Sequence, residues 1–168
     1  GKGHIVVATP GGSRVAVVSL QGVVYMEEKG RKAENPFLSM DALIKELEGR
    51  CDAIVVDFHA EATSEKRALA WYLDGRVAAL LGTHTHVQTS DEEVLPGGTA
   101  YISDLGMTGP HASVIGLAKE VAIHRFLTGE RRKFSVAEDG IRLEGAVIDI
   151  DMENGLSRSI GRVRRNLS

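Results

Sequence analysis

A single cysteine, Cys51, leaves no partner for an internal disulfide. That fits a reducing compartment, and the cytoplasm is the expected location. Lying between a predicted helix and a predicted strand, Cys51 reads as a small packing residue rather than a metal ligand. No apolar run approaches the roughly 20 residues that span a bilayer, so no membrane partner is expected. No signal peptide is expected either, because Gly1-Lys2-Gly3-His4 is not a basic region followed by an apolar stretch. An excess of positive charge is also missing. Lys and Arg number 20 against 23 Asp and Glu, a net −3, whereas a protein that grips a nucleic-acid duplex is normally basic. The small basic groups Arg131-Arg132-Lys133 and Arg162, Arg164, Arg165 are therefore expected as solvated faces. There is no internal repeat, low-complexity tract or linker, and residues 1–168 are expected to form a single domain. The initiator methionine is also absent, and the start on Gly1 is expected of a fragment or a processed product.

What is present is ordinary for a globular protein: 43% hydrophobic and 26% charged residues, enough for one core. His4 to Thr9 and Arg14 to Leu20 are β-rich around Pro10-Gly11-Gly12-Ser13, a hairpin pattern. The polar stretch from Gln21 to Pro36 reads as loop. Phe37 to Glu48 has helical spacing, with Leu38, Leu43, Ile44 and Leu47 on one stripe and Ser39 or Asp41 as the expected cap. Ala53 to Phe58 and Val77 to Leu81 are short continuous apolar runs, the pattern of strands buried in a parallel sheet. A helix from Ser64 to Leu73 between them completes a βαβ unit, with Trp71 and Tyr72 expected as core or edge packing. Beyond Leu95-Pro96-Gly97-Gly98, the spacing predicts a strand over Thr99 to Ser103 and a helix over Val114 to Leu127 ending at Gly129. The tail alternates over Phe134 to Ala137, Ile141 to Ile150 and Leu156 to Val163, with Asn154-Gly155 as a hairpin turn.

The chemistry concentrates at the ends of the two buried strands. His84 and His86 follow one of them directly, and His59 closes the other. Side chains two apart on an extended segment share a face. If the extended conformation continues, both imidazoles project together from the carboxyl edge of the sheet, where ligands of open α/β sheets bind. Parallel neighbours lie about 4.8 Å apart, so His59 can converge on them. Neutral imidazole suits zinc, iron and similar ions. Asp57 and Glu61 flank His59, and either is placed to orient an imidazole; the plainer roles are a strand-end hydrogen bond for Asp57 and a helix N-terminal charge for Glu61, as for Glu65. Thr83, Thr85, Gln88 and Thr89 are placed to donate to a phosphate or simply to serve strand and loop. The Gly106-Met107-Thr108-Gly109 loop can let a ligand approach closely or simply permit a turn. His4, His111 and His124 have no partners in sequence and are expected in surface or packing roles.

These segments together resemble the bacterial YmdB-like branch of the calcineurin-type metallophosphoesterases. The resemblance rests on Asp57-Phe58-His59-Ala60-Glu61-Ala62-Thr63-Ser64-Glu65-Lys66, Trp71-Tyr72-Leu73-Asp74-Gly75-Arg76 and Gly82-Thr83-His84-Thr85-His86-Val87-Gln88-Thr89. Leu95-Pro96-Gly97-Gly98-Thr99-Ala100-Tyr101 and Asp104-Leu105-Gly106-Met107-Thr108-Gly109-Pro110 continue it. It is dense from about residue 53 to 118 and looser on both sides. It implies an α/β fold, a metallophosphoesterase-like αββα sandwich, here lacking its N-terminal βα elements. It implies hydrolysis of cyclic nucleotides such as 2′,3′-cyclic AMP, or of another phosphodiester, at a dinuclear centre. The cofactors would be two divalent transition-metal ions, iron or manganese foremost and zinc as an option. His59 and His84 would ligate one ion and His86 the other. Asp57, Thr85, Gly106, Met107 and Thr108 would supply outer contacts to the ligands or to substrate. A homo-oligomer is compatible with it.

The family pattern begins with Gly-Asp, Glu-Asn and Asn-His segments that this sequence does not contain, so the chain resembles the C-terminal two-thirds of such an enzyme. Those segments carry the remaining ligands and the general acid. Two divalent ions about 3.5–4 Å apart need anionic ligands against their mutual repulsion, and three neutral imidazoles supply none. An N-terminal segment or a second chain is therefore the expected partner. Two other roles are compatible with the residues. One is a non-catalytic regulatory or interaction protein that keeps the scaffold and at most one weakly held metal. The other is an amidohydrolase, which also uses His-x-His, but His111 and His124 do not continue that series.

Overall fold

The computed structural model describes residues 3–26 and 34–167. Gly1, and positions 27–33 of the polar stretch expected as loop, lie outside the described residues. The chain runs β1 (His4–Ala8), β2 (Arg14–Gln21), α1 (Pro36–Leu47), β3 (Ala53–His59), α2 (Thr63–Leu73), β4 (Ala79–Thr83), β5 (Glu93–Val94) and β6 (Ala100–Ile102). It continues with β7 (Gly109–Pro110), α3 (Lys119–Thr128), β8 (Ile141–Asp151) and β9 (Leu156–Asn166). One sheet has the order β1-β2-β3-β4-β6-β5 and a second the order β7-β8-β9. The chain is thus a mixed α/β structure. The four inner strands of the larger sheet are parallel, and β1 and β5 close its edges antiparallel.

The helices cover one face of that sheet. Ala16 and Val18 of β2, with Ile54, Val56 and Phe58 of β3, pack with Met40 and Leu47 of α1 and Leu69, Ala70 and Leu73 of α2. Alternate positions of the strands supply this core, as a period of two requires. Asn35 caps α1: its Oδ1 accepts from Phe37 N at 2.9 Å, and Pro36 follows at the first helical position. The expected caps Ser39 and Asp41 lie inside the helix instead. Proline there loses no intrahelical bond, so the helix begins earlier than the apolar stripe indicates. Asp41 accepts from Tyr72 Oη and Arg76 Nη2, each at 2.6 Å. Trp71 and Tyr72 correspondingly sit at the surface rather than in the core, with the Arg67 guanidinium 5.2 Å from the Trp71 ring.

On the opposite face the register aligns Ile5, Val17 and Val55 in one row and Val7 with Val15 in the next, the face that also carries Asp57 and His59. Ile5 is 61% and Val17 40% exposed, so an apolar strip leads along this side of the sheet to His59. The β8–β9 ribbon covers the other half of the molecule, with β9 against β5 and β6. Ser157 joins the two sheets through its N–H to Gly98 O and its Oγ to Ala78 O, both 2.8 Å.

Three expected elements shift. The second buried strand begins at Ala79 rather than Val77. The third helix begins at Lys119 rather than Val114, because Val114 and Leu117 form a bridge with each other before it. Phe134 to Ala137 is no strand; Val136 makes only an isolated bridge to Leu117, and with Phe134 it is exposed, so burial does not reward pairing. The Asn154-Gly155 turn and the Gly129 C-cap form as expected, both glycines in the left-handed region.

Candidate metal centre

Parallel pairing sets His59 beside Thr83, and Phe58 beside Gly82. Gly82 is required there, since a Cβ at this position would lie 1.8 Å from Ser103 O. The chain then leaves the strand, and His84 (φ +116°) and His86 (φ +65°) take positive φ. The expected extended continuation fails at this point, so the two imidazoles are not set by alternation along a strand. Positive φ costs a non-glycine residue about 1–3 kcal/mol and survives only where the surroundings over-determine it.

Hydrogen bonds place a ring proton at two of the three histidines. Thr83 Oγ1 donates to Asp57 Oδ1 at 2.8 Å, so its oxygen accepts from His59 Nδ1 at 3.2 Å. His59 Nε2 is left with a lone pair. His84 Nε2 lies 3.0 Å from Glu61 Oε2, an ion-pair distance, and its Nδ1 lies within hydrogen-bond reach of His59 Nε2. His86 Nδ1 donates to Ile115 O at 3.0 Å, which leaves its Nε2 unprotonated. Ile115 itself holds φ +48°. His59 and His86 each tie down Nδ1 and, as neutral rings, offer Nε2, the arrangement outer contacts impose on metal-bound imidazoles.

His59 Nε2 and His84 Nδ1 face each other at 3.0 Å, with ring centroids 4.7 Å apart and planes at 88°. At that distance the two nitrogens share either a proton or a cation. Nitrogen–metal bonds are about 2.0–2.1 Å, so the spacing suits two ligands of one ion. The pair thus fits a divalent metal. His86 is turned to Ile115, and among the described residues no three carboxylate, thiol or imidazole groups are placed to hold a metal. Burial, then the neighbouring His84, pushes the His59 pKa below its ordinary value.

Asp104, buried beneath the site, gathers the loops. Its Oδ2 accepts from Thr85 N at 2.9 Å and Lys66 Nζ at 3.2 Å, and its Oδ1 accepts from Gly106 N at 3.0 Å. The amides of Thr85 and Gly106 are therefore committed within the protein. Met107 O accepts from His111 Nε2 at 3.2 Å, and Thr108 is exposed beside it. Gly106 (φ +84°) leaves room for Glu144, whose Oε2 would lie 2.2 Å from an added Cβ. Glu65, expected as a helix-end charge, instead accepts from Val23 N at 2.9 Å and Val24 N at 3.2 Å and fixes the loop after β2, where Gly22 N donates to His59 O. Glu61 pairs with His84, in line with the imidazole-orienting alternative and not with the plainer helix-end reading. His4 pairs with Glu46 and His124 with Glu130, as surface or packing histidines. Cys51 packs partly buried against the core, and burial raises its thiol pKa.

The sequence reading missed Asp104, Lys66 and the relay role of Thr83. One signal was present: Lys66 falls on the helical stripe of Leu69, Ala70 and Leu73, and a lysine on a buried stripe needs a buried partner.

Comparison with known proteins bears on this site. The family model described as YmdB-like protein matches residues 1–163. The 2′,3′-cyclic-nucleotide 2′-phosphodiesterase of Bacillus subtilis is 48% identical over 166 residues, 99% of this chain and 61% of its own length. A crystal structure of a hypothetical protein from Thermus thermophilus superposes with a TM-score of 0.89 at 40% identity, covering 99% of this chain and 62% of that one. A crystal structure described as a novel phosphatase from Mycoplasma pneumoniae gives 0.88 at 36% identity, covering 99% and 58%. The chain thus spans less than two-thirds of the length of these relatives.

Proposed function

The chain belongs to the YmdB-like family, and on that premise we propose that the whole protein hydrolyses phosphodiesters, 2′,3′-cyclic nucleotides foremost, at a two-metal centre to which this chain contributes the imidazole side. The observation that carries the reading is the meeting of His59 Nε2 and His84 Nδ1 at 3.0 Å, with the Nδ1 of His59 and of His86 tied down by hydrogen bonds. The Bacillus relative, at 48% identity, is a 2′,3′-cyclic-nucleotide 2′-phosphodiesterase, which supports the substrate class.

His59 and His84 would hold one ion and His86 the second. When bound, iron, manganese or zinc ions supply charge stabilisation at the phosphoryl oxygens and acidify a water for in-line attack. The chain's own residues prepare that site. Asp57 acts through Thr83 to keep the His59 proton on Nδ1, Glu61 pairs with His84 from its Nε2 side, and the Ile115 carbonyl keeps the His86 proton on Nδ1. Because the Thr85 and Gly106 amides are spent on Asp104, substrate contacts fall to the exposed Thr108 and to the Thr85 hydroxyl rather than to those amides.

The anionic ligands and the general acid would come from the part of the family's length outside this chain, or from a second chain. The apolar strip of Ile5, Val7 and Val17 is the face on which that part would seat, since it leads to His59 and is uncovered. A scaffold without catalysis is the competing outcome, and one experiment separates the two. The whole protein, loaded with manganese or iron, is assayed against 2′,3′-cyclic AMP, 3′,5′-cyclic AMP and a chromogenic phosphodiester. Turnover that needs metal and disappears in His84→Ala is expected. An absence of metal-dependent turnover, with His84→Ala indistinguishable from wild type, would overturn the reading.

A further inference from the structure

The Lys66–Asp104 pair lies beneath the histidines without touching them. Its side chains are 2% and 1% exposed, with Nζ 3.2 Å from Oδ2. The same Oδ2 accepts from Thr85 N at 2.9 Å, and Thr85 is the residue between His84 and His86. Oδ1 accepts from Gly106 N at 3.0 Å, at the head of the Gly106–Thr108 loop. The backbone of Asp104 is itself pinned, its N–H donating to Thr89 Oγ1 at 3.0 Å and its carbonyl accepting from Thr89 N at 3.1 Å.

We propose that Lys66 and Asp104 act as a positioning pair for the phosphodiesterase reaction, a buried charge contact that sets the conformation of the His84-Thr85-His86 segment and thereby the aim of both imidazoles. The inference rests on the proposed function for its catalytic consequence. Its argument is local. Both histidines hold positive φ, which intrinsic preference opposes, so an external bond must fix the peptide between them. The Thr85 N–H to Asp104 supplies it. A carboxylate that receives two amides in a buried site needs a countercharge, and Lys66 reaches it from α2. The lysine occupies a position that Leu or Met would fill more simply, on a stripe with Leu69 and Leu73, so packing alone does not account for it. Asparagine at 104 cannot do the same work. Its single oxygen accepts from one of the two amides, and its NH2 faces the other donor.

The test uses the whole protein. Single variants leave a buried unpaired charge, so the informative variant is the neutral, similarly sized double Lys66→Met/Asp104→Asn. Its midpoint of unfolding is expected within about 5 °C of wild type. Manganese affinity, measured by calorimetry, is expected to fall about 10–100-fold, the usual effect of losing an orienting contact. The kcat for 2′,3′-cyclic AMP should fall with it while KM stays nearly constant. Hydrogen exchange of the Thr85 or Gly106 amide in the metal-free protein should accelerate. Wild-type manganese affinity and unchanged amide exchange in the double variant would overturn the proposal.

If the double variant does not fold, wild type alone decides. In the metal-free protein the Thr85 and Gly106 amides should be protected like those of β3 and β4, and exchange at the rate of an exposed loop overturns the proposal. If wild type lacks phosphodiesterase activity but the affinity and exchange changes appear, the pair is upheld and the activity is not. A whole protein that takes up no manganese overturns both.

Discussion

His59 and His84 meet nitrogen to nitrogen, Nε2 to Nδ1 at 3.0 Å. Metal binding would replace the proton they share with an ion held by both nitrogens. Removing either ring should therefore lower metal content rather than merely slow the reaction. In His59→Ala or His84→Ala whole protein, metal retained after gel filtration, read by elemental analysis, should fall to less than half of wild type with little change in the unfolding midpoint. Full metal content in both variants would show that the pair is not a ligand set.

The relay behind His59 is testable without touching the ring. Thr83→Val keeps a β-branched residue in β4 but removes the hydroxyl between Asp57 and His59. Metal affinity is expected to fall about 10–100-fold. Stability should fall by about 1–3 kcal/mol, since Asp57 loses its donor. Nitrogen NMR of the imidazole should report loss of the fixed Nδ1–H tautomer. An unaltered ring spectrum would show that the tautomer is set elsewhere.

Gly82 marks where β4 and β6 come closest at the foot of the site. Gly82→Ala would place a Cβ 1.8 Å from Ser103 O, which is backbone and cannot swing aside. The expected cost exceeds about 4 kcal/mol, at about 2–4 °C of melting temperature per kcal/mol. Circular dichroism melting measures it, and a loss of less than about 3 °C would contradict the packing described.

Acid sensitivity should be traceable to Asp91. Burial raises its pKa, but the hydroxyls of Ser103 and Thr89 and the Ser103 amide outweigh that, and the net shift is downward. A depressed carboxylate pKa contributes stability that is fully present above the unfolded value, about 3.9, and is lost as pH falls through the folded value below it. The melting-temperature difference between wild type and Asp91→Asn should therefore be largest above about pH 5 and shrink below about pH 3.9. A difference constant across that range would remove Asp91 from the account.

The apolar strip offers a test of what covers the site. Val17 is 40% exposed in this chain, where a lysine would reach water. If the rest of the family's length seats there, Val17→Lys in the whole protein buries an unpaired charge and should cost more than about 2 kcal/mol. An unchanged melting temperature would mean that the face is open in the whole protein too.

The sequence alone determined the frame of this protein. Two short apolar runs around a helical segment specify the β3-α2-β4 unit, because parallel strands are buried and their composition shows it. His59, His84 and His86 at the ends of those runs were legible for the same reason, as were the β1–β2 and β8–β9 hairpins from their turn residues. The tertiary structure decided what the histidines present. The rings are held by partners far along the chain, with Thr83 on a neighbouring strand, Glu61 before α2, and Ile115 in a loop 29 residues beyond His86. The positive φ of His84 and His86 contradicts the strand pattern that located them, and it is held by a carboxylate at position 104 and a lysine on α2. Local periodicity reports which face of a segment is buried. Long-range hydrogen bonds and the pairing of buried charge fix where a side chain aims, and they exist only once the strands have assembled.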